Sequence, residues 1–404
     1  MASYGYVAID ASGKEMKGSM TADNPTQVTQ KLTSQGLTVL EVNEQGLLNK
    51  EINIDLGGKP KPRDFSVFCR QFVSMTQAGV TIIDALNMLG EQTENVKLAK
   101  AIKQTQISVE KGETLSDSME EQKKIFPPLL IHMIRAGESS GSLDIAFERM
   151  AIQFEKDAKL AATVKKAMIY PVIVMLVAIG VVIVMLTFVI PSYAEMFADM
   201  DMELPGITKA VMGASDFIIG YWYILIAIVV AIVVGFKLFY GSNGGKHFVD
   251  KLLLHNKLTG PLQQKSAAAR FARTLSTMLA AGISMPDALE ITAGTLTNAI
   301  IKDAVMDCRE DIVQGTSLSS PIERSRQFPP MVHHMIRIGE ESGDVEGLLT
   351  KLADYFEEEV EAATEAMMAV MEPLIILVLA GIVGTLIGAV MAPMLKMYQG
   401  MDSL

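Results

Sequence analysis

The chain has 404 residues, half of them hydrophobic, and a formal net charge of −11. That length supports two or three domains with cores of their own. The hydrophobic share points to a membrane, and the acidic balance argues against a nucleic-acid binder, whose footprint is normally a basic face. The two cysteines, Cys69 and Cys308, lack CxxC partners and read as reduced, buried thiols.

In chain order, the first residues (Met1-Ala2-Ser3-Tyr4-Gly5) carry no basic stretch and lead into no apolar one, so the first module is expected in the cytoplasm. Residues 1–48 read as a small α/β unit. Tyr4 to Ile9 is strand-like, Asp10 to Lys14 is turn chemistry, and Glu15 to Met20 returns as a second strand. Asn24 and Pro25 open a helix that Gly36 ends, and Leu37 to Val42 closes the unit as a strand. Residues 49–63 are a linker containing Gly57-Gly58-Lys59-Pro60-Lys61-Pro62.

From there the chain says nearly the same thing twice. RQFVSMTQAGVTIIDAL from Arg70 aligns without gaps with RTLSTMLAAGISMPDAL from Arg273, and FPPLLIHMIRAGESSG from Phe126 answers FPPMVHHMIRIGEESG from Phe328. The offset drops by one residue between the two blocks, which places a deletion in the loop between them. Phe65, Phe68, Phe72 and Met75 recur at three- and four-residue steps, as do Phe271, Leu275 and Met278. Ala78-Gly79 and Ala281-Gly282 read as helix stops. Residues 64–168 and 237–371 are therefore two copies of one cytoplasmic module, each an antiparallel bundle of about six helices.

Each copy runs to a proline, Pro171 or Pro373, which is expected to start a membrane span. Three segments are apolar and long enough to cross a hydrocarbon core of about 30 Å: 169–190, 217–236 and 372–395. Lys156, Lys159, Lys165 and Lys166 precede the first, and Lys237, Lys246, Lys251 and Lys257 follow the second. The loop at 191–216 is acidic apart from Lys209. The positive-inside rule then puts that loop outside, both modules inside, and the tail at 396–404 outside. Glutamates precede the third span, so its orientation rests on counting spans.

A search for chemistry finds no HExxH, no nucleophile elbow and no dinucleotide fingerprint. Gly241 to His247 departs from a phosphate loop in spacing, in its final residue and in following a span. Inside their bounding residues, of which Glu372 is one, the spans carry no Asp, Glu, Lys, Arg or His, which weighs against a repeat-built transporter. His132 and His334 occupy equivalent positions and are expected to be structural. No catalytic, cofactor or metal site is assigned.

The most distinctive polar elements are Gly137-Glu138-Ser139-Ser140-Gly141 and Gly339-Glu340-Glu341-Ser342-Gly343. One reading is a turn presenting Arg135, Glu138, Arg337 and Glu340 to a partner. The other is a helix connection held by an Arg–Glu pair. Gly381, Gly384 and Gly388 at helical spacing suit close helix packing in the third span, and equally suit ordinary membrane-helix composition.

The whole chain resembles the inner-membrane platform protein family of type IV pilus and type II secretion machines (the GspF/PilC family). The resemblance rests on Tyr6, Ala8, Asp10, Gly13-Lys14 and Gly18, on both duplicated blocks, and on the loop from Pro191 with Phe197 and Leu204-Pro205-Gly206-Ile207-Thr208. It implies a mainly α integral membrane protein with two cytoplasmic bundles, three spans and an α/β N-terminal unit. It implies no catalysis and no cofactor. It implies a multi-pass bacterial cytoplasmic-membrane platform that couples a cytoplasmic hexameric assembly or retraction ATPase to pilins or pseudopilins. Other inner-membrane assembly proteins, further copies of itself and lipid are the remaining partners, without direct nucleic-acid contact. Pilus assembly is the leading reading, and a secretion or DNA-uptake pseudopilus platform is the alternative. The copies differ in their last helix: Glu358, Glu359 and Glu361 stand where copy 1 has Lys156, Asp157 and Lys159. That acidic run is expected to face a basic partner.

Overall fold

A computed structural model describes residues 2–9, 15–22, 24–34, 38–44, 58–199 and 206–401. The expected turn at 10–14, the stop at Gly36 and most of the linker lie outside the described residues. Residues 1–58 and 59–404 form two compact units. In the first, β1 (Ala2–Ile9) pairs antiparallel with β2 (Glu15–Ala22) and with β3 (Thr38–Glu44), giving the order β2-β1-β3. Its helix α1 (Pro25–Ser34) is capped by Asn24, whose Oδ1 accepts the Gln27 N–H at 2.9 Å.

Copy 1 comprises α2 (Pro62–Gln77), α3 (Ile82–Gln92), α4 (Val96–Glu110), α5 (Leu115–Glu121), α6 (Pro128–Ser140) and α7 (Leu143–Val184). After a wider turn, α8 (Ile190–Asp199), α9 (Gly206–Gly241) and α10 (Asn243–His255) follow. Copy 2 comprises α11 (Gly260–Ala280), α12 (Met285–Thr295), α13 (Ala299–Val313), α14 (Ser319–Ser325), α15 (Pro330–Ser342) and α16 (Val345–Met401). Each copy is a six-helix bundle.

The cores repeat position by position while exchanging side chains. In copy 1, Phe72 stacks on Phe147 with ring centres 3.9 Å apart, and Phe68 lies edge-on to the latter. Copy 2 places Leu275 and Leu349 at those two positions, both buried, and keeps the Phe271–Phe328 contact at 4.9 Å. Paired exchange of this kind preserves packing where a single large-to-small change would leave a cavity. The deleted residue falls after the short helix. Copy 2 closes that turn with Arg326 at φ 54°, the positive-φ non-glycine among the described residues.

Two kinds of glycine work in the repeated GExSG blocks. Gly141 and Gly343 end α6 and α15 at φ 71° and 76°, a backbone state that side-chain-bearing residues rarely adopt. Gly137 and Gly339 are helical and let neighbouring helices touch. A Cβ on Gly137 would lie 2.6 Å from the Ala146 Cβ, and one on Gly339 would lie 2.9 Å from the Val345 Cα.

Three described helices are long and apolar enough to cross a membrane: Leu143–Tyr193, Thr208–Gly241 and Val345–Ala392. The prolines do not start them. Pro171 lies inside α7 and Pro373 inside α16, so the last bundle helix and the span are one continuous rod. Each proline leaves one carbonyl a turn earlier without its helical donor, a loss that membrane helices tolerate. The turn at Met185–Val189 widens into a π-helix ahead of Pro191, which cannot donate to the Thr187 carbonyl. Much of the expected loop at 191–216 is accordingly helical. The spans meet at this end. Leu186, Ile190 and Ala389 pack together, Thr208 Oγ1 donates to the Ala389 carbonyl at 3.0 Å, and Ser215 donates to the Leu186 carbonyl.

Gly381, Gly384 and Gly388 do not pack on another described helix of the chain, since a Cβ on any of them meets nothing within 4 Å. Gly137→Ala and Gly381→Ala therefore separate close packing from helix propensity. Alanine favours a helix by about 1 kcal/mol over glycine, yet Gly137→Ala should lower the thermal midpoint of the purified protein because Ala146 must move. Gly381→Ala should leave the midpoint unchanged or raise it.

Candidate functional site: the seam between the repeats

The shared arginine and glutamate of each repeated block are engaged within their own bundle. The Glu138 carboxylate accepts the Leu115 N–H at 2.6 Å and the Ser116 N–H at 2.9 Å. Glu340 accepts from the Leu318 and Ser319 N–H groups and, at 2.6 Å, from the Ser319 hydroxyl. A seven-residue helix such as α5 or α14 cannot stand alone. A carboxylate satisfies the orphan N–H groups at its start and opposes its dipole.

The arginine of each block grips the same short helix. Arg135 pairs with Asp117 at 3.2 Å and with Glu120, and Arg337 pairs with Glu323 at 2.9 Å. The expected Arg–Glu pair within the block does not form; both side chains reach the short helix instead. Hydrogen bonds from Thr114 and then Arg135 hold the Asp117 carboxyl below the usual carboxylate range, and Arg135 does the same to Glu120. The repeated aspartates also serve helix starts: Asp84 bonds the Thr81 hydroxyl at 2.7 Å, and Asp287 bonds the Ser284 hydroxyl. His132 and His334 do not sit in a core; both are exposed.

The copies differ at the seam where they pack on each other. Arg273 on α11 donates through Nε to Glu357 of α16 at 2.9 Å and also pairs with Asp354. Lys156 of copy 1's α7 reaches the same two acids, 2.8 Å from Glu357 and 3.4 Å from Asp354. Beside them the Thr277 hydroxyl donates to Gln153 Oε1 at 3.1 Å across the seam. Arg273 and Glu357 are each only 12% exposed, whereas the equivalent pair in copy 1, Arg70 and Glu155, is 61% exposed on both sides. Burial alone would lower the Arg273 pKa, but its two carboxylate partners outweigh this and raise it.

Part of the acidic run is thus neutralised inside the chain. Glu359 pairs with Lys265 at 2.6 Å, while Glu358 and Glu361 remain exposed. Next to the seam, α6 and α7 of copy 1 and α12 and α13 of copy 2 enclose a cleft of about 890 Å³, which His132, Arg135, Asp157, Asp287 and Lys302 line. Both cysteines are buried, and desolvation pushes their thiols well above the usual range. Among the described residues, no cluster of three or more His, Cys, Asp or Glu side chains could hold a metal ion. The arrangement couples two bundles through charge.

Sequence reading missed Lys156, Arg273, Asp354 and Glu357 as one unit. A signal existed: Arg70 and Arg273 are equivalent, as are Glu155 and Glu357, so a pair repeated in both copies was there to be noticed.

The model of the family described as type II secretion system (T2SS), protein F, matches residues 68–191 and again 271–393, once per copy. The model of that family's N-terminal domain matches residues 1–43. This chain belongs to the type II secretion system protein F family. It is 38% identical over 373 residues to the type IV pilus assembly protein PilC of Myxococcus xanthus, covering 92% of this chain and 89% of that protein. The type IV pilus assembly protein PilC of Thermus thermophilus is 36% identical over 396 residues, 97% of each chain. The type II secretion system protein F of Vibrio cholerae is 31% identical over 407 residues, 98% of each.

Within this family member, the seam and its copy-1 counterpart should respond unequally to the same change. Arg273→Ala leaves the largely covered Glu357 carboxylate with Lys156 as its remaining partner and should cost on the order of 3 kcal/mol. Arg70→Ala removes an exposed pair and should cost about 0–1 kcal/mol. Denaturant or thermal unfolding of the two purified variants measures the difference.

Proposed function

We propose that this protein is the inner-membrane platform of a type IV pilus assembly machine. It couples a cytoplasmic hexameric ATPase to the extraction of pilins from the membrane and their addition to a filament. The observation that carries the reading is the continuity of α7 and α16, each both a bundle helix and a membrane span, clamped to each other by Lys156, Asp354 and Glu357. A push on either bundle is transmitted along a rigid rod into the bilayer. The identities of 38% and 36% to two pilus assembly proteins, against 31% to a secretion protein, favour the pilus over the secretion machine.

The two bundles pack on each other, so they share one side of the membrane. The lysine flanks make that side cytoplasmic, with the N-terminus inside and the C-terminus outside. The role is mechanical and not catalytic. Of the three candidates in the acidic run, Glu358 and Glu361 are free to meet a basic partner, whereas Glu359 is held by Lys265. Arg135, Glu138, Arg337 and Glu340 act indirectly, by fixing the short helices. The open glycine face at Gly381, Gly384 and Gly388 suits close approach by a pilin helix or by a second copy.

Deleting the gene should abolish surface filaments in electron micrographs, with restoration by the intact gene and unchanged protein export. Normal filaments with failed export would move the protein to a secretion machine. In the complemented strain, Glu358→Lys with Glu361→Lys should reduce filament number several-fold while the protein level stays normal; full piliation would rule out the acidic face as a contact.

A further inference from the structure

Helix α10 has no counterpart among the described residues of copy 1, where residues 58–61, just before α2, form no helix. Its position is set by the span before it. The charge-free part of α9 ends at Phe236, and the helix continues to Gly241, five residues further, or about 7.5 Å at 1.5 Å per residue. That distance matches the headgroup layer, which is on the order of 5–8 Å thick on each side of the hydrocarbon.

There the chain turns sharply. Ser242 caps α10 by accepting the Gly245 N–H at 3.2 Å, and Gly245 lies too close beneath the Phe239 carbonyl for any side chain. One face of α10 is then clamped to its neighbours. The buried Asp250 accepts the Tyr240 hydroxyl at 3.1 Å and the Ala299 N–H at 2.8 Å, and Leu254 is buried beside it.

The opposite face is apolar and exposed. Phe248 is 64% exposed and Leu252, one turn later, is 62% exposed. Lys251, His255, Lys257 and Leu258 are exposed around them, and Lys237, Leu238 and Phe239 are exposed at the end of α9. Asp250 is the helix's own carboxylate and is already occupied, and the nearby Asp303 lies 3.5 Å from His247. The exposed charge on this face is therefore basic.

We propose that α10 is an interfacial helix, which inserts Phe248 and Leu252 into the headgroup–acyl boundary of the bilayer and holds anionic phospholipid headgroups with Lys237, Lys251 and Lys257. An apolar face flanked by lysines, tethered at headgroup depth, is the pattern of a helix that lies in the membrane plane. It makes the entry to copy 2 a membrane-bound element, whereas copy 1 has no such anchor among its described residues.

The test uses the full-length protein in liposomes, with an environment-sensitive fluorophore on Phe248→Cys or on Leu252→Cys. Both native cysteines are buried, so the new thiol is the labelled one. Ile338→Cys, at a site 51% exposed on α15, serves as the aqueous reference. At both α10 sites, a shallow lipid-borne quencher should act while iodide quenching is several-fold weaker than at the reference site, whatever the protein-to-lipid ratio. Iodide access equal to the reference would overturn the proposal. Protection that fades as protein is diluted in lipid would assign the face to a second copy and overturn it equally. Adding phosphatidylglycerol to phosphatidylcholine should strengthen protection, and Lys251→Glu with Lys257→Glu should abolish that increment; an unchanged increment would remove the anionic-headgroup part.

Discussion

The Glu357 carboxylate, held between Arg273 of its own bundle and Lys156 of the other, is the contact on which the architecture turns. It sits on α16, one of the two rods that run from a bundle into the membrane, and Lys156 sits on the other rod, α7. Tying these residues together fixes the relation of the bundles and, through the rods, of two spans. The pair is largely withdrawn from water, so its partners cannot be removed without leaving a buried charge. In copy 1, Arg70 and Glu155 are exposed and contribute little, although the same residue types occupy the same positions. Burial decides the difference.

Duplication has been used here to divide labour. Shared positions maintain the fold: glycines where helices turn or touch, aspartates at helix starts, and the arginine and glutamate of each block, which separately grip the short helix. Positions where the copies differ supply one side of a contact between copies or face the surroundings. Lys156 crosses the seam, while Glu358, which aligns with it, faces solvent. Identical modules packed head to tail cannot satisfy the same residue in both, so divergence at the seam is a consequence of packing the repeats on each other.

The membrane end follows the same logic. Prolines that would stop a soluble helix are carried inside α7 and α16, because a lipid-embedded chain has no alternative to helical hydrogen bonding. The break instead appears as the π-turn before Pro191, near where Thr208 and Ser215 bond carbonyls of the neighbouring spans. A rod that continues unbroken from bundle to bilayer is the mechanical feature that a platform requires.

The sequence alone determined the duplication, the helical class of the copies, the three apolar segments and the family. These are encoded in periodicity, in run length and in local residue identity, none of which needs a partner distant along the chain. It also marked Glu138 and Glu340 as special, and a short element after Leu115 and Leu318, though not that the glutamates hold the short helices. Only the tertiary structure decided which charges meet. Lys156 and Glu357 lie some two hundred residues apart, and nothing local distinguishes Glu357, largely covered and paired, from Glu358, exposed beside it. A helix turns each successive residue by about 100°, so neighbours in a run of glutamates face different surroundings, and the packing of the two bundles assigns each one its role.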